Sequence, residues 1–303
     1  MGPYVLRRLV QSVFVAAAVL ILVFLVGHVI GDPVDMMLPA EASEELRADL
    51  RAKYGFDRPL AAQFTAFVQR VLSGFGNSLW QKAPALEIAL TMIVPTFYLT
   101  ISVLILSVPL AIALGTWAAL RAGSWVDRSV TVITLGGIST VDFWLALLLI
   151  IVFAVQLGWL PTSGYGSLAH LVLPTLALSY RSVGRMAQIT RSAMLDEYSM
   201  PYIHVARANG IPEYRVFLHA LKNAAIPILT IAGDEMAMLM GGAIAIETVF
   251  AWPGIGRLLV QAIYHRDLFL IEAVVCVIVV IIILINLIID LAYAWLDPKL
   301  RYE

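Results

Sequence analysis

The stretch LFLIEAVVCVIVVIIILINLIIDL, from Leu268 to Leu291, decides the fold class of this chain. It is 24 residues long and almost wholly apolar. A helix needs about 20 mostly apolar residues to cross the hydrocarbon core of a bilayer. We therefore predict that this stretch is a transmembrane helix.

The composition of the whole chain agrees with a membrane protein. Of the 303 residues, 61% are hydrophobic and 14% are charged. A soluble domain holds about 45–50% apolar and about 25% charged residues. The net charge of −1 gives no indication of nucleic acid as a partner. The single cysteine, Cys276, excludes an intrachain disulfide.

Five more stretches have the length and apolarity of a membrane span. The first follows Arg7 and Arg8 and is longer than the apolar core of about 7–15 residues in a secretory signal, so we predict that it is retained. We expect an all-α polytopic protein with one membrane domain over residues 1–303. The six predicted spans are Leu9–Ile30, Pro95–Leu120, Val130–Leu157, Leu171–Met194, Ile226–Thr248 and Leu268–Leu291.

The distribution of Lys and Arg predicts the orientation of these spans. Cytoplasmic loops of membrane proteins carry an excess of basic residues. With both termini in the cytoplasm, the short external loop GWLPTSGYGSLAH holds no Lys or Arg, and the second external loop holds only Arg257 and Arg266. The predicted cytoplasmic segments hold Arg7, Arg8, Arg121, Arg128, Arg191, Arg207, Arg215, Lys222, Lys299 and Arg301.

The longest predicted external segment, residues 31–94, is too polar to span a bilayer. SEELRADLRAKYGF has Ser43 in the position of a helix cap, acids in the first turn and Gly55 at the end, which is the pattern of a short helix. PLAAQFTAFVQRVLSGFGNS predicts a second helix that glycines terminate. We expect a small helical cap on the external face.

The longest cytoplasmic segment, residues 195–225, contains the start of HVARANGIPEYRVFLHALKNAAIPILT, His204 to Thr230. A short helix from Pro201 is predicted to stop at Gly210, and Pro212 to begin a second helix, with Pro227 marking re-entry into the membrane. Such a helix fits a groove on a partner protein. A solvated basic loop, or a helix on the lipid surface, explains the same pattern.

Sequence motifs for catalysis are missing. There is no G-x-x-x-x-G-K-[ST] phosphate loop, no H-E-x-x-H zinc motif and no G-x-S-x-G elbow. We therefore predict no catalytic residues, no metal site and no cofactor in this chain. Energy for active transport has to come from another subunit or from an ion gradient.

Several ordered motifs resemble the permeases of ATP-binding-cassette (ABC) importers, in the dipeptide, oligopeptide and nickel branch. ARANG, residues 206–210, followed by HALKNAAIP resembles their coupling loop. The likeness runs over almost the full length, through YVLRRL, GDP, YGFDRPL, FGNS, LPTSGYG, ETVFAWPGIGRLL and NLIIDLAYAWLDPKLR. His204 and Val205 depart from the general signature, which has Glu and Ala there.

The resemblance implies a permease of the bacterial inner membrane that works by alternating access. Its implied partners are a second, similar permease, two cytoplasmic ATPases that bind ATP and Mg²⁺, and an external binding protein. Small peptides are the expected cargo, and nickel or a metal chelate is the alternative within the family. The implied ATPase-coupling residues are His204, Val205, Ala206, Arg207, Ala208, Asn209 and Gly210.

Polar residues inside the spans are candidates for the translocation pathway, because ionisable groups in a bilayer need a partner or a watery lining. Asp234 and Glu235 are about 100° apart on a helix and cannot both face one narrow path. One is expected to face the path and to favour cargo with a positive group; an interhelical hydrogen bond is the alternative role. The other candidates are Met238, Gly241, Gly242 and Asp142, and Asp142 has Arg181 as a possible partner.

A proton-coupled carrier is the rival from another class, with Asp234 or Glu235 as the proton site. Such carriers often contain inverted repeats with paired broken helices. The sequence contains no such pair, which favours the importer.

Overall fold

The computed structural model describes residues 2–29, 32–38 and 41–296. Within these ranges the regular secondary structure is helical. The helices are α1 (Gly2–Val29), α2 (Pro33–Met37), α3 (Glu44–Tyr54), α4 (Leu60–Leu72), α5 (Ala85–Leu120), α6 (Trp125–Ser139), α7 (Asp142–Leu149), α8 (Leu168–Tyr198), α9 (Pro201–Ala208), α10 (Glu213–Gly242), α11 (Ile244–Val249), α12 (Ile255–Tyr264) and α13 (Leu268–Leu296), with a π-helical turn at Ile150–Gln156 after α7.

By length and composition, four described helices can cross a membrane: α1, α5, α10 and α13. A fifth candidate is the pair of α6 and α7 with its π-helical extension, which is bent by 100°. The prediction of an all-helical protein with several membrane-spanning helices is thus confirmed for the described residues. Some residues of the predicted topology lie outside the described residues. They are Ile30 at the end of the predicted first span, Gly31 after it, and Lys299 and Arg301 in the predicted cytoplasmic C-terminal segment.

The predicted third span, Val130–Leu157, is wrong as a single straight helix. Thr140 and Val141 both adopt extended backbone angles, so α6 ends at Ser139 and α7 starts at Asp142. Glycine, serine and threonine precede the break, and these residues are weak helix formers. The Thr140 hydroxyl donates a hydrogen bond to the carbonyl oxygen of Gly136, 2.7 Å away, which closes the last turn of α6.

Two other predicted spans differ from the structure in their extent. The second, predicted from Pro95, begins with α5 at Ala85. The fifth, predicted to reach Thr248, stops with α10 at Gly242, and α11 continues from Ile244. Pro227 does not interrupt α10, so the predicted cytoplasmic helix and the fifth span form one continuous helix from Glu213.

The predicted fourth span corresponds to α8, which is 31 residues long but is not among the candidate spans. Its arginines and other polar residues lower the hydropathy of every window of membrane-spanning length. The length of α8 is sufficient to cross a bilayer, since a helix rises about 1.5 Å per residue. Composition alone therefore does not identify α8 as a span.

The two short helices predicted in residues 31–94 are confirmed as α3 and α4. The Ser43 hydroxyl accepts a hydrogen bond from the amide of Leu46, as a helix cap does. Gly55 ends α3 in the left-handed conformation. Local capping chemistry therefore determines both ends of α3.

The described residues form two compact units. The first comprises Met1–Thr96 and Pro253–Leu287, and its core joins the start of α5, α12 and the start of α13. Residues Ala85, Ala89, Leu270 and Ala273 of this core are fully buried. The three alanines allow the helices to pack closely.

The second unit comprises Phe97–Trp252 and Ile288–Glu303, and α8 is its central helix. Helices α6, α7, α10 and α11 all pack against α8. The contact of α6 with α8 depends on glycine, because a Cβ atom on Gly184 would overlap the carbonyl oxygen of Thr134. The arginines of α8 therefore lie within reach of several neighbouring helices.

Candidate functional site

The short helix α9 occupies the position of the predicted coupling helix. Pro201 is its first residue, a position where the missing amide hydrogen and fixed φ of proline are favourable. The chain turns at Gly210, whose φ is 74°. The amide of Gly210 donates to the carbonyl oxygen of Arg207, 2.9 Å away, and α10 starts after Pro212. The predicted stop of the short helix at Gly210 is confirmed.

One face of α9 is anchored in an apolar cluster of the second unit. Ile203 is fully buried and packs with Met194 of α8 and with Val216 and Ala220 of α10. Ala206 is half-buried against the same cluster. Burial of a side chain the size of Ile203 contributes about 1.5–3 kcal/mol. The anchor therefore connects α9 to both long helices that flank it.

A polar network connects the same three helices. The Tyr202 hydroxyl of α9 donates to the Glu197 carboxylate of α8 at 2.5 Å. The Asn223 amide of α10 donates to that carboxylate at 3.2 Å and to the Tyr202 oxygen at 3.0 Å. Burial and the hydrogen bond to Glu197 raise the pKa of Tyr202, so its hydroxyl stays protonated and remains a donor at neutral pH.

An ion pair closes the turn between α9 and α10. The Arg207 Nε atom lies 2.9 Å from the Glu213 carboxylate, and the guanidinium lies 5.7 Å from the centre of the Tyr198 ring. Both charged side chains are largely exposed, so the pair contributes less than about 1 kcal/mol. It bridges the two ends of the turn and adds little to the stability of the fold.

The other face of α9 is open. Of the seven predicted coupling residues, Ala206 is half-buried and the other six are exposed: His204, Val205, Arg207, Ala208, Asn209 and Gly210. Val205 exposes 58% of its surface, and Met200 and Leu218 are exposed nearby in the chain. Helix α9 is therefore packed against α8 and α10 on one face, and its opposite face presents apolar and polar side chains to the surroundings.

The second group of predicted residues surrounds an arginine that the sequence interpretation missed. Arg185 of α8 lies 2.7 Å from the carboxylate of Asp234 and 3.3 Å from that of Glu235, both on α10. The same guanidinium lies 3.2 Å from the sulfur of Met238. The Asp234 side chain is 58% exposed and the Glu235 side chain 4% exposed. The two acids thus differ in exposure, although both contact the Arg185 guanidinium.

Two further ion pairs connect α8 to its neighbours. Arg181 lies 3.3 Å from Asp142 at the start of α7, so the pair considered from the sequence is formed. Arg191 binds Asp127 of α6 through two hydrogen bonds, 2.5 and 2.8 Å long. The three arginines of α8 therefore pair with acids on three different helices.

The ion pairs that Arg181, Arg185 and Arg191 make are together called the charged group of the second unit. Gly241 and Gly242 lie in the last turn of α10 and are not part of it. Among the described residues, no cluster of His, Cys, Asp and Glu has the arrangement of a metal site. The charged group of the second unit can hold helices together, and it can present the partly exposed Asp234 and Arg185 to a solute.

The sequence profile of the family described as "Binding-protein-dependent transport system inner membrane component" matches residues 111–302, which include α8, α9 and α10. The chain belongs to this family. It is a multi-pass protein of the inner membrane and a permease subunit of an ABC transporter. Such a subunit is not itself catalytic.

Full-length relatives of this permease are known. A probable peptide ABC transporter permease protein of Sinorhizobium fredii is 41% identical over 313 aligned residues, which cover 100% of both chains. The glutathione transport system permease proteins of Salmonella paratyphi A and of Escherichia coli strain K12 are 40% and 39% identical, each over 99% of both chains. The resemblance that the coupling loop indicated is confirmed.

Proposed function

We propose that this permease is the membrane gate of an ABC importer that takes up small peptides by alternating access. The peptide cargo is supported by the relatives named as peptide and glutathione permeases. The complex would contain a second, homologous permease, two cytoplasmic ATPases that bind ATP and Mg²⁺, and an external binding protein. The whole chain would act as one permease domain.

The proposed topology has six spans with both termini in the cytoplasm. The basic residues of the sequence support this orientation. The proposal requires α8 and the bent pair of α6 and α7 to cross the membrane. The arginines of α8 are compatible with this because each is paired with an acid of a neighbouring helix, which lowers the cost of placing charge in a bilayer.

The main support for the proposal is that α9 is attached to both α8 and α10 on one face and exposed on the other. A buried isoleucine and the network of Glu197, Tyr202 and Asn223 fix it to α8 and α10. Its exposed face is free to enter a groove on an ATPase. A push on α9 would move both long helices together, and this movement would switch the access of the pathway from one side of the membrane to the other.

The proposed pathway runs along two carboxylates and a methionine of the second unit. Asp142, Asp234 and Met238 are at least partly exposed there, whereas Glu235 is buried. Exposed charges within membrane-spanning helices face water or a partner protein rather than lipid. We assign Asp234 to the wall of the pathway and Glu235 to the packing of α8 against α10.

Asp234→Asn is expected to reduce uptake of peptides with a cationic side chain more than uptake of neutral peptides. The exposed carboxylate attracts a positive group, whereas the amide does not. An exposed ion pair contributes up to about 1 kcal/mol, so the change in the ratio of the two uptake rates is about fivefold. Glu235→Gln is the matched control and should affect both peptides alike. Equal effects of Asp234→Asn on both peptides would assign that carboxylate to structure alone.

Proteoliposomes test the function itself. We expect ATP-dependent uptake of radiolabelled dipeptides when this chain is reconstituted with its partner permease, both ATPases and the binding protein. The chain alone should accumulate no peptide under a proton gradient. Uptake driven by the gradient in the absence of ATPases would identify a secondary carrier. Uptake of nickel in place of dipeptides would change the cargo to a metal.

A further inference from the structure

A cavity of about 500 Å³ lies within the first unit. It is bounded by the ends of α3 and α4, the segment that precedes α5 and the start of α13. Its volume is in the range of about 300–1,000 Å³ that small-molecule sites occupy. The residues that line it are Tyr54, Arg70, Phe75, Gly76, Asn77, Ser78, Leu79, Lys82 and Phe269.

Among the described residues that line this cavity, the charged ones are both cations, Arg70 and Lys82. The acids of the region, Asp267 and Glu272, are buried behind the wall and do not line it. The carboxylate of Asp267 already accepts hydrogen bonds from the Ser78 hydroxyl, at 2.5 Å, and from the Trp80 amide, at 3.1 Å. The surface of the cavity is therefore suited to an anion.

Two nitrogen atoms of Arg70 lack hydrogen-bond acceptors among the described residues. Its Nε and Nη2 atoms are buried, and no described residue accepts a hydrogen bond from either. The nearest carboxylate, that of Glu272, lies 3.8 Å from Nη2, which is beyond hydrogen-bond distance. A buried donor without an acceptor destabilises a protein. A carboxylate that draws the Arg70 side chain toward the cavity would supply an acceptor that the described residues do not.

Aromatic rings form the apolar part of the wall. Tyr54 and Phe269 meet edge to face with their ring centres 5.3 Å apart, and the Arg70 guanidinium lies 5.6 Å from the Phe269 ring centre. Lys82 is exposed at the opposite end of the lining segment, and its amide donates to the carbonyl oxygen of Ser78 at 3.0 Å. An apolar side chain next to a carboxylate would match this combination of rings and cations.

We propose that this cavity binds the free carboxyl end of a small peptide, with an aromatic or apolar last residue packed on Tyr54 and Phe269. The carboxylate pairs with Arg70 and Lys82. This inference rests on the proposed function, because it takes the cargo to be a peptide and residues 31–94 to be external. The cavity would then hold cargo at the outer side of the permease.

The test is a binding assay on the complete transporter in lipid nanodiscs, with no binding protein added. The probes are Ala-Phe and its carboxyl-terminal amide, which differ only in the charge of the end group. The variants are Lys82→Met, which changes an exposed side chain, and the double variant Arg70→Met with Glu272→Gln, which leaves no unpaired buried acid. Arg58→Met, an exposed arginine that does not line the cavity, is the control.

Ala-Phe is expected to bind about tenfold more tightly than its amide, because charge-assisted hydrogen bonds are the stronger class. Both cavity variants should remove this preference, and Arg58→Met should retain it. Equal binding of the two probes, an absence of saturable binding, or unaltered binding by both variants would overturn the proposal. ATP-driven uptake of Ala-Phe that persists in those cases would leave the importer function intact, whereas its loss would contradict that function too.

Discussion

Gly210→Pro is expected to abolish the stimulation of ATP hydrolysis by cargo-loaded binding protein in the reconstituted transporter. Gly210 has a φ of 74°, whereas proline fixes φ near −65°. Proline also removes the amide that bonds to the carbonyl oxygen of Arg207. The turn between α9 and α10 would therefore reorganise, and α9 would lose its position for docking. Phosphate release measured with and without loaded binding protein gives the result.

Gly210→Ala is the control for Gly210→Pro. It introduces the backbone strain of a left-handed alanine but keeps the amide that closes the turn. In the part of the chain that the structure describes, no atom lies within 4 Å of a Cβ placed at this position, so alanine meets only the left-handed backbone cost of about 1–2 kcal/mol. Most of the stimulation should survive. Ala206→Asp, which places a carboxylate against the apolar cluster below α9, should fail as Gly210→Pro does. Normal stimulation in Gly210→Pro, in protein that inserts into the membrane, would contradict the docking role of α9.

The short helices could be predicted from the sequence because their ends are determined by local chemistry. A serine cap and a left-handed glycine define α3, and Pro201 and Gly210 define α9. These signals act over one or two turns and do not depend on the rest of the fold. The same reasoning predicted the start of a helix after Pro212.

The bend between α6 and α7 could not be predicted from apolar length. Residues on both sides of Thr140 are hydrophobic enough for a span, and a window of about 20 residues averages over the two extended residues that break the helix. The glycines and threonine before the break were a usable local signal. The length of an apolar segment indicates whether it can cross a bilayer. It does not indicate whether the segment forms one continuous helix.

The charge pairs depend on contacts between distant parts of the chain. Arg185 is 49 residues from Asp234, and Arg191 is 64 residues from Asp127. Each arginine in a predicted span needs a partner, which is a signal that pairs exist. Sequence alone does not choose among the acids: it suggests the pair of Asp142 and Arg181 but gives no partner for Arg185.

Arg185→Met is expected to destabilise the permease by about 3 kcal/mol. It removes the cation that both Asp234 and Glu235 contact, and the Glu235 side chain is only 4% exposed. Loss of one partner from a buried ion pair costs about 3–5 kcal/mol, because the remaining charge has no compensation. Partial exposure of Arg185 and Asp234 places the effect at the lower end of this range. Thermal unfolding of the purified protein in nanodiscs measures the difference.

The double variant Arg185→Met with Glu235→Gln should recover most of this stability, since the buried acid no longer carries a charge and Asp234 still reaches solvent. Arg207→Met is the matched surface control. Its partner Glu213 has a side chain 67% exposed, and removing such a pair costs less than about 1 kcal/mol. If Arg185→Met unfolds at the same temperature as Arg207→Met, the contact of Arg185 with α10 does not stabilise the packing of α8. Arg185 and its two acids would then act in the translocation pathway only. In that case Glu235→Gln should alter peptide uptake and leave the unfolding temperature unchanged.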